Sequence, residues 1–188
     1  MVGAKKLLVG VAALAAGWPG LAQAAPTKAV QGMVTAVTRG DTVTLTLADQ
    51  RQLSVRLRDI DAPESCQPWG AEARAALSTL ALNKVATLHA SARDGQGQGQ
   101  TVGNLMLDDL NVSRFLVENG HAWSVRTRWD QGPLVKQEKM ARALTRGLHA
   151  LPGAVQPKDF RRLHGRCDEV SGSTPVTVAP AGAAAAKK

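Results

Sequence analysis

The sequence predicts an α+β fold, mainly β, in which a small five-stranded barrel carries about three packed helices. Three strand-like stretches come first, and only short turns separate them. A helical stretch, two more strand-like stretches and further helical stretches follow. This order of short strands and helices is typical of a small β-barrel with helices on its outside.

Five stretches have the alternation and composition of β-strands. In "TVTLTLA" apolar side chains alternate with threonine, as expected of a strand with one buried face. The turn "TRGD" precedes this stretch, and "DQ" separates it from the next one. The five stretches are residues 29–37, 42–48, 52–60, 85–91 and 102–108.

Three stretches have helical spacing of their apolar residues. They are residues 71–82, 111–120 and 134–147. Glycines at the ends of the second and third stretches, Gly120 and Gly147, act as helix stop signals.

The first 24 residues have the features of a secretory signal peptide. Lys5 and Lys6 precede an apolar run, and residues 22–24, "AQA", resemble a cleavage site. A membrane anchor is the alternative, but the apolar run is shorter than the roughly 18 to 20 residues that span a bilayer, and Pro19 interrupts it. We therefore expect export to the periplasm or the medium, with no membrane span in the mature protein.

The rest of the chain divides into a folded part and a tail. Residues 25–168 contain all the periodic stretches and predict one domain. Residues 169–188 contain small residues, prolines and no large aromatic side chain, a composition that predicts a disordered tail.

The chain is strongly basic. Its formal charge is +8, and it is +6 without Lys5 and Lys6 of the predicted signal peptide. A surplus of this size favours a polyanionic partner such as DNA or RNA.

Two cysteines, Cys66 and Cys167, are present. In an exported protein an even number of cysteines usually forms disulfides, so we expect these two to pair. Two free buried thiols are the alternative. Zinc is disfavoured, because neither cysteine has a ligand partner at zinc spacing and the four histidines form no close pair in the sequence.

The segment "VRLRDIDAPE", residues 55–64, combines fixed positive and negative charges. Strict strand alternation would send Arg56 and Asp61 to opposite faces, so the chain must leave strand geometry between residues 59 and 63 if the two are to meet. Asp41 begins the second strand and, with Asp61, has the oxygen ligands that a calcium ion accepts. The simpler interpretations are a solvated strand face for the arginines and a turn residue for Asp41.

Four residues in this order, Asp41, Arg56, Asp61 and Glu64, resemble the signature of the thermonuclease family, the family of micrococcal nuclease. The likeness extends over roughly residues 30 to 166 and includes "QPWGAEARAAL", "TVGNLMLDDLNVSRFLVENGHAW" and "DFRRLHG". The resemblance implies an oligonucleotide-binding (OB) barrel of five strands, calcium-dependent hydrolysis of phosphodiesters in DNA and RNA, and secretion.

The resemblance also implies a role for each site residue. Asp41 and Asp61 resemble the calcium ligands, with the Ala62 carbonyl as a third candidate. Glu64 resembles the residue that activates or positions the attacking water, and Arg56 resembles the arginine that binds the scissile phosphate.

The sequence departs from the family pattern at Gln100. The family has a second phosphate-binding arginine there, and glutamine supplies neither the charge nor the bidentate fork. The loss of one such donor typically slows a reaction by about 10²- to 10³-fold. Arg93, seven residues earlier, is a candidate substitute.

A second departure concerns the aromatic residues. The family has tyrosines around the nucleotide, whereas this chain has none. Trp123 and Trp129 are candidates for stacking on a base, although packing inside the protein is as good an interpretation for each. Arg126 and Arg128 are candidates for phosphate contacts.

Two functions therefore remain open from the sequence. The first is a secreted calcium-dependent nuclease, attenuated by Gln100, that acts as a monomer on single-stranded or flexible DNA or RNA. The second is a nucleic-acid-binding module that has lost turnover. A third and weaker interpretation, adhesion, rests only on the tripeptide of residues 39–41, "RGD".

Overall fold

The computed structural model describes residues 29–93, 99–126, 132–165 and 167. The predicted signal peptide, the predicted tail, Arg128 and Trp129 lie outside these residues. Within them, no helix has both the length and the apolar character that a membrane crossing requires.

Five strands form a closed mixed barrel, which confirms the predicted fold class. The order of the main strands is β3-β2-β1-β5-β6, and a parallel pairing of β3 with β6 closes the barrel. The strands of the chain are β1 (Ala29–Arg39), β2 (Thr42–Leu47), β3 (Gln52–Leu57), β4 (Ile60–Asp61), β5 (Val85–Arg93), β6 (Thr101–Leu107), β7 (Leu110–Asn111) and β8 (Trp123–Ser124). The five predicted stretches correspond to β1, β2, β3, β5 and β6.

The alternation seen in the sequence produces the barrel core. In β2, Val43, Leu45 and Leu47 are buried inside the barrel, and the intervening Thr44 and Thr46 are more exposed. Such alternation fixes the strand register, because a slip of one residue would expose the whole apolar face.

The described residues form four α-helices around the barrel, where the sequence predicted about three. They are α1 (Gly70–Ala81), α2 (Val112–Glu118), α3 (Val135–Ala143) and α4 (Pro157–His164). The first three correspond to the predicted stretches. The fourth has only eight residues, and Pro157 is its only buried one, so its apolar positions are too few to identify a helix from the sequence.

Helix α1 packs closely against the turn between β1 and β2. A Cβ atom on Gly40 would lie 2.8 Å from the Cβ of Ala73 and 2.9 Å from the Cβ of Ala62. Since both neighbours are Cβ atoms fixed to backbone, neither could rotate away. Gly40 therefore lets α1 approach the turn that carries Asp41.

The structure pairs the two cysteines. Cys66 lies in the loop before α1, Cys167 follows α4, and their Cα atoms are 5.6 Å apart. This is the predicted pairing, and its formation in the protein stays a prediction until it is measured.

We expect Gly40→Ala to destabilise the protein by about 1–3 kcal/mol, because the added methyl group has no space between α1 and the barrel. Denaturant unfolding of both proteins measures the difference. Lys139→Ala, at an exposed position of α3, is the control and should change the free energy of unfolding by less than about 0.5 kcal/mol. Equal stabilities of Gly40→Ala and the parent would refute the close packing.

We expect the folded protein to contain a Cys66–Cys167 disulfide when it is prepared from an oxidising compartment. Intact-protein mass spectrometry should then show that reduction adds the mass of two hydrogen atoms. Alkylation of both cysteines without reductant would contradict the pairing.

Candidate active site

The acidic residues of the candidate site come from three nearby segments at one end of the barrel. Asp41 lies in the turn before β2, Asp61 ends β4, and Glu64 lies in the loop that follows. The chain leaves strand geometry between β3 and β4, where Asp59 has a positive φ of 69°. This turn brings Arg56 and Asp61 together across a separation of five residues, as the sequence required.

Hydrogen bonds fix the two inner carboxylates. Asp41 and Glu64 are each only 4% exposed. Asp41 accepts a hydrogen bond from the Thr42 hydroxyl at 2.8 Å. The Glu64 backbone N–H donates to the Gln67 side chain at 3.2 Å, and the Gln67 N–H donates to the Glu64 carbonyl at 2.9 Å. The loop therefore holds Glu64 in one place.

Two arginines from the barrel strands lie against these acids. Arg56 places its Nε 3.6 Å from Asp41 Oδ2 and its Nη2 3.4 Å from Asp61 Oδ1. Arg39, at the end of β1, places its Nε 3.9 Å from Asp41 Oδ1 and its Nη1 3.9 Å from Glu64 Oε2. The sequence predicted Arg56 as a site residue, whereas it indicated Arg39 only as part of the tripeptide of the adhesion interpretation.

A third arginine, Arg161 of α4, completes the group. Its Nη1 donates to Glu64 Oε1 at 2.7 Å and to Asp61 Oδ1 at 3.2 Å, and its Nη2 donates to Asp61 Oδ2 at 3.0 Å. Burial lowers the pKa of Arg161, but the hydrogen bonds to Asp61 and Glu64 outweigh burial and raise that pKa overall. The sequence indicated Arg161 only as part of the segment "DFRRLHG", which belongs to the family likeness.

These side chains surround one cavity of about 220 Å³. It is lined by Arg39, Asp41, Arg56, Ala62, Pro63, Glu64 and Arg161. Together with Asp61, the lining contains three arginines and three carboxylates, so its formal charges balance. A divalent cation among them would leave a surplus of +2, which suits a phosphodiester.

The donor set fits a hard cation such as calcium. All the candidate ligands are oxygen atoms, and Glu64 Oε2 is buried with no hydrogen-bond partner among the described residues. Within the described ranges, no three His, Cys, Asp or Glu side chains are close enough to hold a metal by themselves. Two carboxylates would then share the ion with carbonyl, water or phosphate oxygens, as calcium sites permit.

The position of the missing family arginine is at the start of β6. Gln100 is buried, and its Nε2 lies 3.4 Å from the Ser54 hydroxyl on β3. Gln100 is not among the residues that line the cavity. Arg93 is paired with Thr101 through its backbone at the end of β5, and its side chain lies outside the described residues.

Two predicted nucleic-acid contacts are occupied by internal interactions. Trp123 is buried, makes an edge-on contact with His149 and has the Arg142 guanidinium over its ring at 5.4 Å. Arg126 donates to Glu138, a carboxylate only 1% exposed. The sequence interpretation of Trp123 as a packing residue describes its position better than base stacking does.

The adhesion interpretation of residues 39–41 finds no support in the geometry. A recognition tripeptide must be exposed, whereas Gly40 and Asp41 are buried at the contact with α1.

Comparisons with known proteins show the family of the chain. A family model described as "Staphylococcal nuclease homologue" matches residues 54–150, more than half of the chain. "Protein ParB" of Escherichia coli is 32% identical over 144 residues, which cover 71% of this chain and 80% of that protein. "Micrococcal nuclease" of Shigella flexneri is 29% identical over 143 residues, which cover 70% of this chain and 80% of that protein.

Longer plant proteins also match this chain. "Probable staphylococcal-like nuclease CAN2" of Oryza sativa subsp. japonica is 35% identical over 112 residues, which cover 60% of this chain and 30% of that protein. The chain thus spans about 30% of the length of such plant relatives. Because the family model covers more than half of the chain and ParB is matched over most of its length, this chain belongs to the family of staphylococcal nuclease homologues.

Proposed function

We propose that the chain is a nuclease that hydrolyses phosphodiester bonds in DNA and RNA with the help of calcium. The observation that carries this proposal is the cavity in which Asp41, Asp61 and Glu64 face three arginines. A module that only binds nucleic acid gains nothing from three acids facing a polyanion, whereas hydrolysis needs them.

Each side chain has a proposed part in the reaction. Arg56 donates to a phosphoryl oxygen and stabilises the negative charge that develops there. Glu64 orients a water molecule and accepts its proton as the water oxygen bonds to phosphorus. The bond from phosphorus to the leaving oxygen then breaks, the leaving oxygen takes a proton from solvent, and Glu64 returns its proton to solvent.

Calcium has a proposed place beside the phosphate. Asp41, Asp61 and the Ala62 carbonyl would hold the ion, which would act as a Lewis acid on the phosphoryl oxygen. The Thr42 hydroxyl donates to Asp41 Oδ1 and so fixes the orientation of this carboxylate.

We also propose that the protein is exported and works in an oxidising compartment, as a monomer. The features of residues 1–24 support export, and the proximity of Cys66 and Cys167 supports an oxidising compartment. An oxidising compartment would keep the loop that carries Glu64 covalently linked to the segment after α4.

A binding module without turnover is the second candidate function. It is favoured by one observation, the buried Gln100 in place of the family arginine. It is weakened because Trp123 and Arg126, the side chains that a binding surface would offer, are engaged inside the protein.

We expect Glu64→Gln to slow cleavage of single-stranded DNA by about 10²- to 10⁴-fold, because the amide cannot accept the proton of water. Glu72→Gln, an exposed carboxylate on α1, is the matched control and should keep the parent rate. The comparison is made in calcium at one protein concentration. A Glu64→Gln rate equal to that of the parent would refute the role of Glu64, and an inactive parent would refute the nuclease itself.

We expect calcium to raise the stability of the protein, since an ion that binds only the folded state at 100 times its dissociation constant adds about 2.7 kcal/mol. Thermal unfolding with calcium and with a chelator measures this effect. Asp61→Asn should abolish most of the gain, whereas Asp109→Asn, in an exposed turn, should keep it. An equal gain in both variants would place any calcium elsewhere.

A further inference from the structure

We propose that Arg161 is the second guanidinium that binds the scissile phosphate. Helix α4, near the C-terminus, then supplies the positive side-chain charge that Gln100 does not supply. The inference rests on the proposed nuclease function. It assigns a catalytic role to a residue about 100 positions away from Asp61 and Glu64 in the sequence.

The guanidinium of Arg161 is placed for this role. It lines the same cavity as Arg56 and contacts both Asp61 and Glu64, so a phosphate held between these groups would lie beside it. Its side chain is 26% exposed, and it is therefore accessible from the cavity. An arginine buried only for stability would be closed off from a ligand.

The Arg161 guanidinium also has N–H donors that the two acids do not use. Arginine has five N–H donors, and within the described part of the chain the carboxylates of Asp61 and Glu64 take three of them. The two others suit the paired oxygens of a phosphate, which arginine binds in a bidentate manner. The hydrogen bonds to the acids hold the guanidinium in place before substrate arrives, so little entropy is lost on binding.

Two attachments hold α4 in place and explain how so small a helix positions a catalytic side chain. The helix buries only Pro157, so core packing contributes little to its position. On its N-terminal side, Gln67 Nε2 donates to the Val155 carbonyl at 2.7 Å. On its C-terminal side, Cys167 is bonded to Cys66. Both attachments go to the loop that carries Glu64.

The charge balance of the cavity favours this arginine. With Arg161 the three arginines match the three carboxylates, so a bound divalent cation leaves a surplus of +2 for the phosphodiester. Without Arg161 the same loaded site would keep only +1. Gln100 cannot correct the balance, because it is neutral and lies outside the cavity lining.

The test compares Arg161→Gln with Arg162→Gln. Arg162 is the next residue on α4, is 74% exposed and pairs with Asp159, so it is a matched control for charge and helix position. Two quantities are measured in calcium: kcat/KM on single-stranded DNA, and the dissociation constant of a deoxynucleoside 3′,5′-bisphosphate by calorimetry. Thermal unfolding verifies that both variants are folded.

We expect Arg161→Gln to lower kcat/KM by about 10²- to 10³-fold and to weaken bisphosphate binding by about 10-fold or more. Arg162→Gln should stay within about twofold of the parent in both.

Two results would overturn the inference. One is an Arg161→Gln variant with parental rate and parental bisphosphate affinity. The other is a loss of rate with unchanged bisphosphate affinity, which would mean that Arg161 only positions Asp61 and Glu64. If the parent cleaves nothing, the proposed function fails, and the bisphosphate titration still decides whether Arg161 binds phosphate.

Discussion

The pairing of three carboxylates with three arginines is the interaction on which the rest of this structure depends. Asp41 and Glu64 are almost fully buried, and a buried carboxylate without a partner typically destabilises a protein by about 3–5 kcal/mol. The partners come from β1, β3 and α4, so the site forms only when the barrel has closed and the C-terminal helix has docked. Folding and assembly of the site are thus one process.

The fold keeps this charged group in place through small residues and short turns. Gly40 allows α1 to lie against the turn that carries Asp41. The left-handed conformation of Asp59 turns the chain between β3 and β4, so that Asp61 lies beside Arg56. Ile60 and Asp61 then pair with β8 in a two-stranded sheet separate from the barrel, which fixes the backbone of Asp61. None of these features depends on a large apolar contact at the site itself, so the cavity stays polar.

The sequence predicted most of the fold and four of the six charged residues that the structure brings together at the site. Alternation located five strands, and the offset between Arg56 and Asp61 required the break that the structure has at Asp59. Arg161 could not be found in this way, since nothing local connects it to acids about 100 residues away. Arg126 was expected to contact phosphate because it is basic and lies between Trp123 and Trp129, but the sequence gives no sign that Glu138 is buried beside it.

Electrostatic catalysis depends on where a charge lies relative to the phosphate, and the chain position that supplies the charge is secondary. A strand at the barrel wall holds its side chains rigidly, so an arginine there needs no further support. An arginine on a peripheral helix needs attachments, and α4 has one on each side, both to the loop that carries Glu64. The proposed disulfide would then be part of the proposed site as well as of the fold. Its closure would keep Arg161 beside Glu64, which gives a physical reason for the proposed nuclease to work in an oxidising compartment.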